Sequence, residues 1–414
     1  MGKYEKDRAI LRDLAGRAAE IAALPVQDEK RRLWRALNDL KPERPMAAID
    51  QVCWNEMNID GKLDLYCEDE ECRSYEQALR RKLLQWEYFP ADMVVEPFIK
   101  VHKAVNNSGF GMSQKEHTLA AFENSDVVSH KYENQFHSID DVMTKIKMPV
   151  VGHDSMETKR RMDFASWLFD GIMPLREEGY HPYLSIWDPI ATWMSVEGAL
   201  YGLVDNPEMM HALVKSMADG YMVMLDQLEE QGLLCHSQDL IHCTGAWTDE
   251  LPPPGFNPEK PRTKDIWMYG LAQMLTTVSP AMFEEYEINY MLPIFERFGL
   301  VYYGCCDPLE YKMKEVRKIP HLRKVSMSPW VKSRERGAEE IGRDYVFSNK
   351  PNPAFVAYDS FDEDLVRKDL ETTKEICRRF NCPLEFILKD ISTVYHQPKR
   401  LKKWADIVMA VITE

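Results

Sequence analysis

Apolar residues recur along this chain with two periods. Ala18, Ile21, Ala22 and Leu24 stand among Arg, Glu and Lys, and predict helix within 5–41. Ala78, Leu79, Leu83, Leu84 and Trp86 do the same over 74–88, and Met210, Leu213, Met217, Met224 and Leu228 over 207–230. Helices are also expected over 157–175, 193–203 and 284–297. The last opens on Ser279-Pro280, an N-cap residue followed by proline at the first helical position, with Glu284, Glu285 and Glu287 in its early turns. Between the helical stretches lie short β-like runs at 93–99, 149–154, 183–189, 233–235, 298–303, 322–328, 344–348 and 384–389. Strand then helix, repeated, implies parallel strands joined by crossovers. About eight such units close into a barrel.

The expected fold is therefore α/β, a (β/α)8 TIM barrel with an additional N-terminal helical section. The helical section is placed at 1–90 and the barrel at 91–414, with a long proline-rich loop near 236–265. An open doubly wound sheet is the competing arrangement, but no G-x-G-x-x-G and no phosphate loop follows any strand.

Composition narrows the chemistry. The chain has 414 residues and a net charge of −15, from 67 acidic against 52 basic side chains. No dense Lys/Arg block offers a face to nucleic acid. No run of 18 apolar residues predicts a membrane span, and Met1 to Ile10 lacks the apolar core of a secretory leader, so a cytoplasmic location is expected. Nine cysteines, an odd number, fit reduced thiols and a metal site better than a disulfide framework.

In a barrel the working groups sit at strand C-termini. Those ends carry Glu96, His153, Trp187 with Asp188, Cys305-Cys306-Asp307, Ser328, Lys350, and Lys389 with Asp390. The most pointed stretch is Tyr302-Tyr303-Gly304-Cys305-Cys306-Asp307-Pro308. The second thiol-bearing segment, His242-Cys243 within 240–247, falls on a loop that can lie over the barrel mouth. Thiolates with an imidazole are a ligand set zinc prefers, and His242 and Cys243 are candidates to join Cys305 or Cys306. The plain alternative is that adjacent cysteines are small buried residues. Serine-hydrolase and zincin signatures are absent.

The order of signals resembles the uroporphyrinogen decarboxylase superfamily. The resemblance rests on Glu197-Gly198, Asp205-Asn206-Pro207-Glu208-Met209-Met210-His211, Gly245 to Pro252, Ser279-Pro280, Gly304 to Leu309, and Leu388 to Thr393. It implies a (β/α)8 barrel and two candidate activities. A decarboxylase-type lyase is the alternative reading. Its arginine-rich N-terminal motif, Met-Arg-Gln-Ala-Gly-Arg, is missing, and Arg44-Pro45 does not replace it. The favoured reading is a corrinoid-dependent methyltransferase component that takes a methyl group from a small donor, an O-methyl compound such as a methoxylated aromatic. The thiol-activating branch holds zinc with His-x-Cys and a later Cys. Here Tyr303 takes the His position and residues 348–353 contain no Cys.

The resemblance further implies that Cys305, Cys306 and His242 hold a zinc, that Glu96 or Asp307 supplies a proton, and that Trp187, Asp188, Trp247, Tyr303, Lys350 and Asp390 line the substrate pocket. The corrinoid arrives on a separate protein, since the chain has no Asp-x-His-x-x-Gly signature; a homodimer is also expected.

Overall fold

The computed structural model describes residues 4–120, 128–235 and 239–414. The first three residues of the loop expected over 236–265 lie outside them. The long amphipathic stretch at 5–41 is two helices, Glu5–Ala22 and Pro25–Asn38. Pro25 sits at the first position of the second helix, where its fixed φ and missing N–H are tolerated, and where it cannot continue the first. The helix predicted from 74 begins earlier, as Glu70–Tyr88, because the Asp69 side chain caps it by accepting from Glu71 N and Cys72 N at 3.0 and 3.1 Å.

Nine strands organise the interior: β1 Met46–Ile49, β2 Ile99–His102, β3 Leu175–Glu178, β4 Tyr183–Leu184, β5 Trp267–Gly270, β6 Leu300–Tyr303, β7 Leu322–Met327, β8 Val346–Asn349 and β9 Leu384–Leu388. Seven form one sheet in the order β1-β9-β8-β7-β6-β5-β4, every pairing parallel. β2 and β3 form a separate parallel pair. The architecture is thus mixed α/β around a central parallel sheet. β6, β8 and β9 are buried at every position, as expected of parallel strands covered on both faces.

Two strands of that sheet, β1 and β5, escaped the sequence reading. β1 falls within the 1–90 section expected to be helical, between its two helical stretches, yet it pairs with β9 along its length. Conversely, the strand expected at 93–99 starts only at Ile99, and the run at 183–189 pairs over two residues before turning into the helix Trp187–Met194. The helix expected at 284–297 begins at Pro280 with Ser279 as its cap and widens to π geometry over Glu284–Ile288.

The sheet's two faces differ. Val301, Tyr303, Val325, Met327, Phe347, Phe386 and Leu388 face the main apolar cluster under the helices. Tyr302, Lys324, Ser326, Ser348 and Glu385 face the other way. Lys324 and Glu385 form a fully buried ion pair at 2.8 Å, and Lys324 also donates to Thr244 Oγ1 and Gly245 O. An unpaired charge at that depth would be very costly, so the pair and its hydrogen bonds stand or fall together. No helix among the described residues is long and apolar enough to cross a membrane.

Candidate active site

The site assembles at the carboxyl ends of β6 to β9. β6 stops at Gly304, whose φ of +93° and crowded surroundings exclude a side chain: an added Cβ would lie 2.6 Å from Leu309 Cδ1. The turn that follows hangs on β7. Ser326 Oγ donates to Cys305 O and Ser328 Oγ to Cys306 O, each at 2.8 Å. Asp307 closes the loop from inside, its Oδ1 accepting Cys305 N at 3.0 Å.

This fixes the Cys305 sulfur among polar groups. Lys389 Nζ is 3.3 Å away, Cys306 Sγ 3.6 Å and His242 Nε2 3.7 Å. Lys389, which follows β9, also pairs with Asp390 Oδ2 at 2.7 Å. Hydrogen bonding from Cys306, and beyond it the His242 ring and the Lys389 charge, hold the Cys305 thiol well below its ordinary range. The Cys306 thiol is pushed up by the same contact, so one proton serves the two sulfurs. Burial works against the Lys389 charge, but the Cys305 sulfur and Asp390 more than offset it and the ammonium is retained.

His242 arrives on a tight hairpin, in which Leu240–Ile241 pairs antiparallel with Thr244–Gly245. The two connecting residues, His242 and Cys243, have φ of 33° and 69°. Two-residue hairpins favour positive φ at both positions, but Asn and Gly normally fill them. Asp390 also sits at positive φ, 56°. Strained backbone at three residues of one cluster is typical of a functional site and costs about 1 kcal/mol or more at each. The His242 ring stacks on Tyr269 at 3.9 Å, and burial lowers its pKa below the ordinary value, so the ring is neutral near pH 7.

On the far side, Tyr183 Oη donates to Asp188 Oδ2 at 2.7 Å and Gln273 Nε2 lies 3.4 Å from Oδ1. Burial raises the Asp188 pKa, and the Cys305 charge adds to the rise. Behind the sulfur, Lys350 donates to Tyr302 Oη and to Ser348 Oγ, and burial brings its pKa down to about 8. A cleft of 260 Å3 is lined by His242, Tyr183 and Tyr269 on the outer side of the hairpin.

The expected residues therefore divide. Cys305, Cys306, His242, Asp390, Asp188 and Lys350 converge. Tyr303 and Trp187 do not: strand alternation turns Tyr303 away from Tyr302, and both donate to the fully buried Glu287, at 3.1 Å each. Asp307 is sealed in its loop. Glu96 pairs with Arg31 at 3.1 Å and, with Trp247 and Cys243, lines a separate 600 Å3 cavity bounded by the Glu70–Tyr88 helix, which neither Cys305 nor Cys306 lines. Lys389 was legible only as a partner of Asp390; that it faces Cys305, 84 residues earlier, is a product of folding.

The zinc expectation meets a specific obstacle. His242 and Cys306 each reach Cys305, but the three ligand atoms do not gather within 4.8 Å of one another. These residues do not fit a zinc. Among the described residues, only Glu178, His181 and Cys235 bring three such ligand atoms that close together.

No family model matches the chain, and no curated protein matches it. Among solved structures, a methyltransferase from Methanosarcina mazei superposes with a TM-score of 0.49 at 9% sequence identity, covering 92% of this chain and 97% of that one. A likeness that loose says nothing about chemistry.

Proposed function

We propose that the chain is a methyltransferase component that removes a methyl group from a small O-methyl donor, a methoxylated aromatic, and passes it to a corrinoid carried by a separate protein. The observation that carries this reading is the Lys389 ammonium, held between the Cys305 sulfur at 3.3 Å and Asp390 at 2.7 Å where the parallel strands end. Cleaving an aryl methyl ether leaves a phenolate, and a fixed cation stabilises that developing charge more strongly in a desolvated site than in water. Cys305 and Asp390 act as positioning residues that keep the lysine charged and aimed.

The step balances without a zinc. The carbon–oxygen bond breaks and its electron pair stays on the oxygen beside Lys389. The methyl carbon goes to the reduced, cobalt(I) corrinoid, which enters as a substrate on its own protein and supplies the electron pair of the new cobalt–carbon bond. The phenolate then takes a proton from Asp188, whose raised pKa suits a donor, with Tyr183 Oη bonded to it. That role falls to Asp188 because Asp307 and Glu96 are tied up elsewhere. The barrel is proposed to close through 92–102 and 175–184: Asp92 N donates to Ala47 O, β2 pairs with β3, and the chain runs from β3 straight into β4. The lyase alternative needs arginines for its carboxylates, whereas the cation at the Cys305 sulfur is Lys389.

The test is turnover with reduced cobalamin as a stand-in acceptor and a panel of methoxylated aromatics, following phenol release and methylated cobalamin by absorbance. Lys389→Met is expected to lower kcat about 100-fold or more, the scale for losing one oxyanion-stabilising group. Full activity in Lys389→Met, or no turnover of any O-methyl donor by the unaltered chain, overturns the reading.

A further inference from the structure

A second cluster lies away from Lys389. Glu178 ends β3 with its carboxylate buried, 1% exposed. Its Oε1 accepts a hydrogen bond from Cys235 Sγ at 2.7 Å and lies 2.9 Å from His181 Nε2. Its Oε2 accepts none, although Arg176 Nε is 3.7 Å away. Lys100 Nζ stands 3.8 Å from Oε1 but binds Asp239 more closely, at 2.7 Å.

Backbone, not chance side-chain rotamers, sets this meeting. Tyr180 N donates to Leu233 O at 2.6 Å and Cys235 N to Tyr180 O at 2.9 Å, which clamps the two segments in parallel. Gly179 permits the approach: a Cβ there would lie 2.4 Å from Leu234 O and 2.5 Å from Leu233 O. The result places a thiol, an imidazole and a carboxylate around one point, with two of the three buried. That is a three-ligand set of the kind that leaves zinc one open position. The side chain of His181 is 46% exposed, and the residue lines the same 260 Å3 cleft as His242, so the open position has an outlet.

We infer that Glu178, His181 and Cys235 form a binding site for a zinc-class divalent cation, with its free coordination position turned toward that cleft. Binding displaces the thiol proton of Cys235, and His181 binds through Nε2 as the neutral ring, so uptake releases protons. Glu178 Oε1 is in hydrogen-bond contact with both other ligand atoms, and all three lie within 4.8 Å of one another, so shifts of about 1 Å bring them to metal–ligand distances of roughly 2.0–2.3 Å. The inference does not rest on the methyl-transfer reading.

The experiment is a cobalt(II) titration of the chelator-treated full chain, read by the thiolate-to-cobalt charge-transfer absorption in the near ultraviolet and by visible bands of four-coordinate cobalt. One cobalt per chain is expected, displaced by zinc. Cys235→Ser is expected to abolish the charge-transfer band, and His181→Ala to weaken binding at least tenfold. The double variant Cys305→Ser, Cys306→Ser is expected to retain the band. Should Cys235→Ser fail to fold, His181→Ala decides, because its side chain is exposed. A chain that develops no band, a band that persists in Cys235→Ser, unweakened binding in His181→Ala, or a band lost with Cys305 and Cys306 overturns the inference.

Discussion

Two thiols in this molecule end up beside opposite charges. Cys305 faces an ammonium and an imidazole; Cys235 faces a buried carboxylate. The first environment draws the proton off the sulfur and leaves a thiolate that holds a lysine charged. In the second, the sulfur donates its hydrogen to Glu178, and a metal can take that proton's place. The same residue type is thus fitted for electrostatic work in one place and for ligation in the other. What decides is the charge brought within about 4 Å by distant parts of the chain.

Parting the segments that create the second environment should abolish it. Gly179→Ala puts a methyl into Leu234 O, where backbone must move. The expected loss is about 2–4 kcal/mol in denaturant unfolding, together with loss of the cobalt charge-transfer band. Unchanged stability would mean the clamp is looser than the contacts indicate.

A buried acid facing only neutral donors should behave in the opposite way to Cys305, and Glu287 is that control. Trp187 and Tyr303 donate to it, and burial raises its pKa to about 8. The protonated form is favoured in the folded chain, so its contribution is complete below the unfolded pKa near 4.5. It is lost as pH rises toward 8 and above. Glu287→Gln should flatten this part of the stability profile, with a difference on the order of a few kcal/mol between pH 5 and 9 by chemical denaturation. Parallel profiles for the two chains would remove Glu287 from the comparison.

Cys305→Ser should abolish a thiolate absorbance near 240 nm that titrates below the ordinary thiol range. It should also move the alkaline limit of turnover to lower pH, because Lys389 loses the neighbour that keeps it protonated, at a cost of about tenfold in kcat. A thiolate signal that survives the substitution would assign it to another cysteine.

Local pattern carried some elements through intact. The helix Pro207–Glu230 has the bounds its apolar spacing predicts, and Ser279-Pro280 opens a helix as its cap signal requires. The run ending at Gly304 is a strand with the two cysteines just beyond it. β1 and β5 were missed because four-residue apolar runs in a parallel sheet have no period to set them apart from buried helix. Trp187 and Tyr303 were assigned to the pocket because spacing says that a side chain is near a strand end but not which face it takes.

By itself, the amino-acid order determined an α/β chain of alternating strands and helices, with sulfur, lysine and carboxylate gathered at strand ends, because period and capping act over a few residues. Folding brings Lys389 to Cys305, and Glu178, His181 and Cys235 to one point. Such meetings depend on sheet register and on one glycine's missing Cβ, and charge at a sulfur is a property of neighbours that the chain's own spacing does not encode.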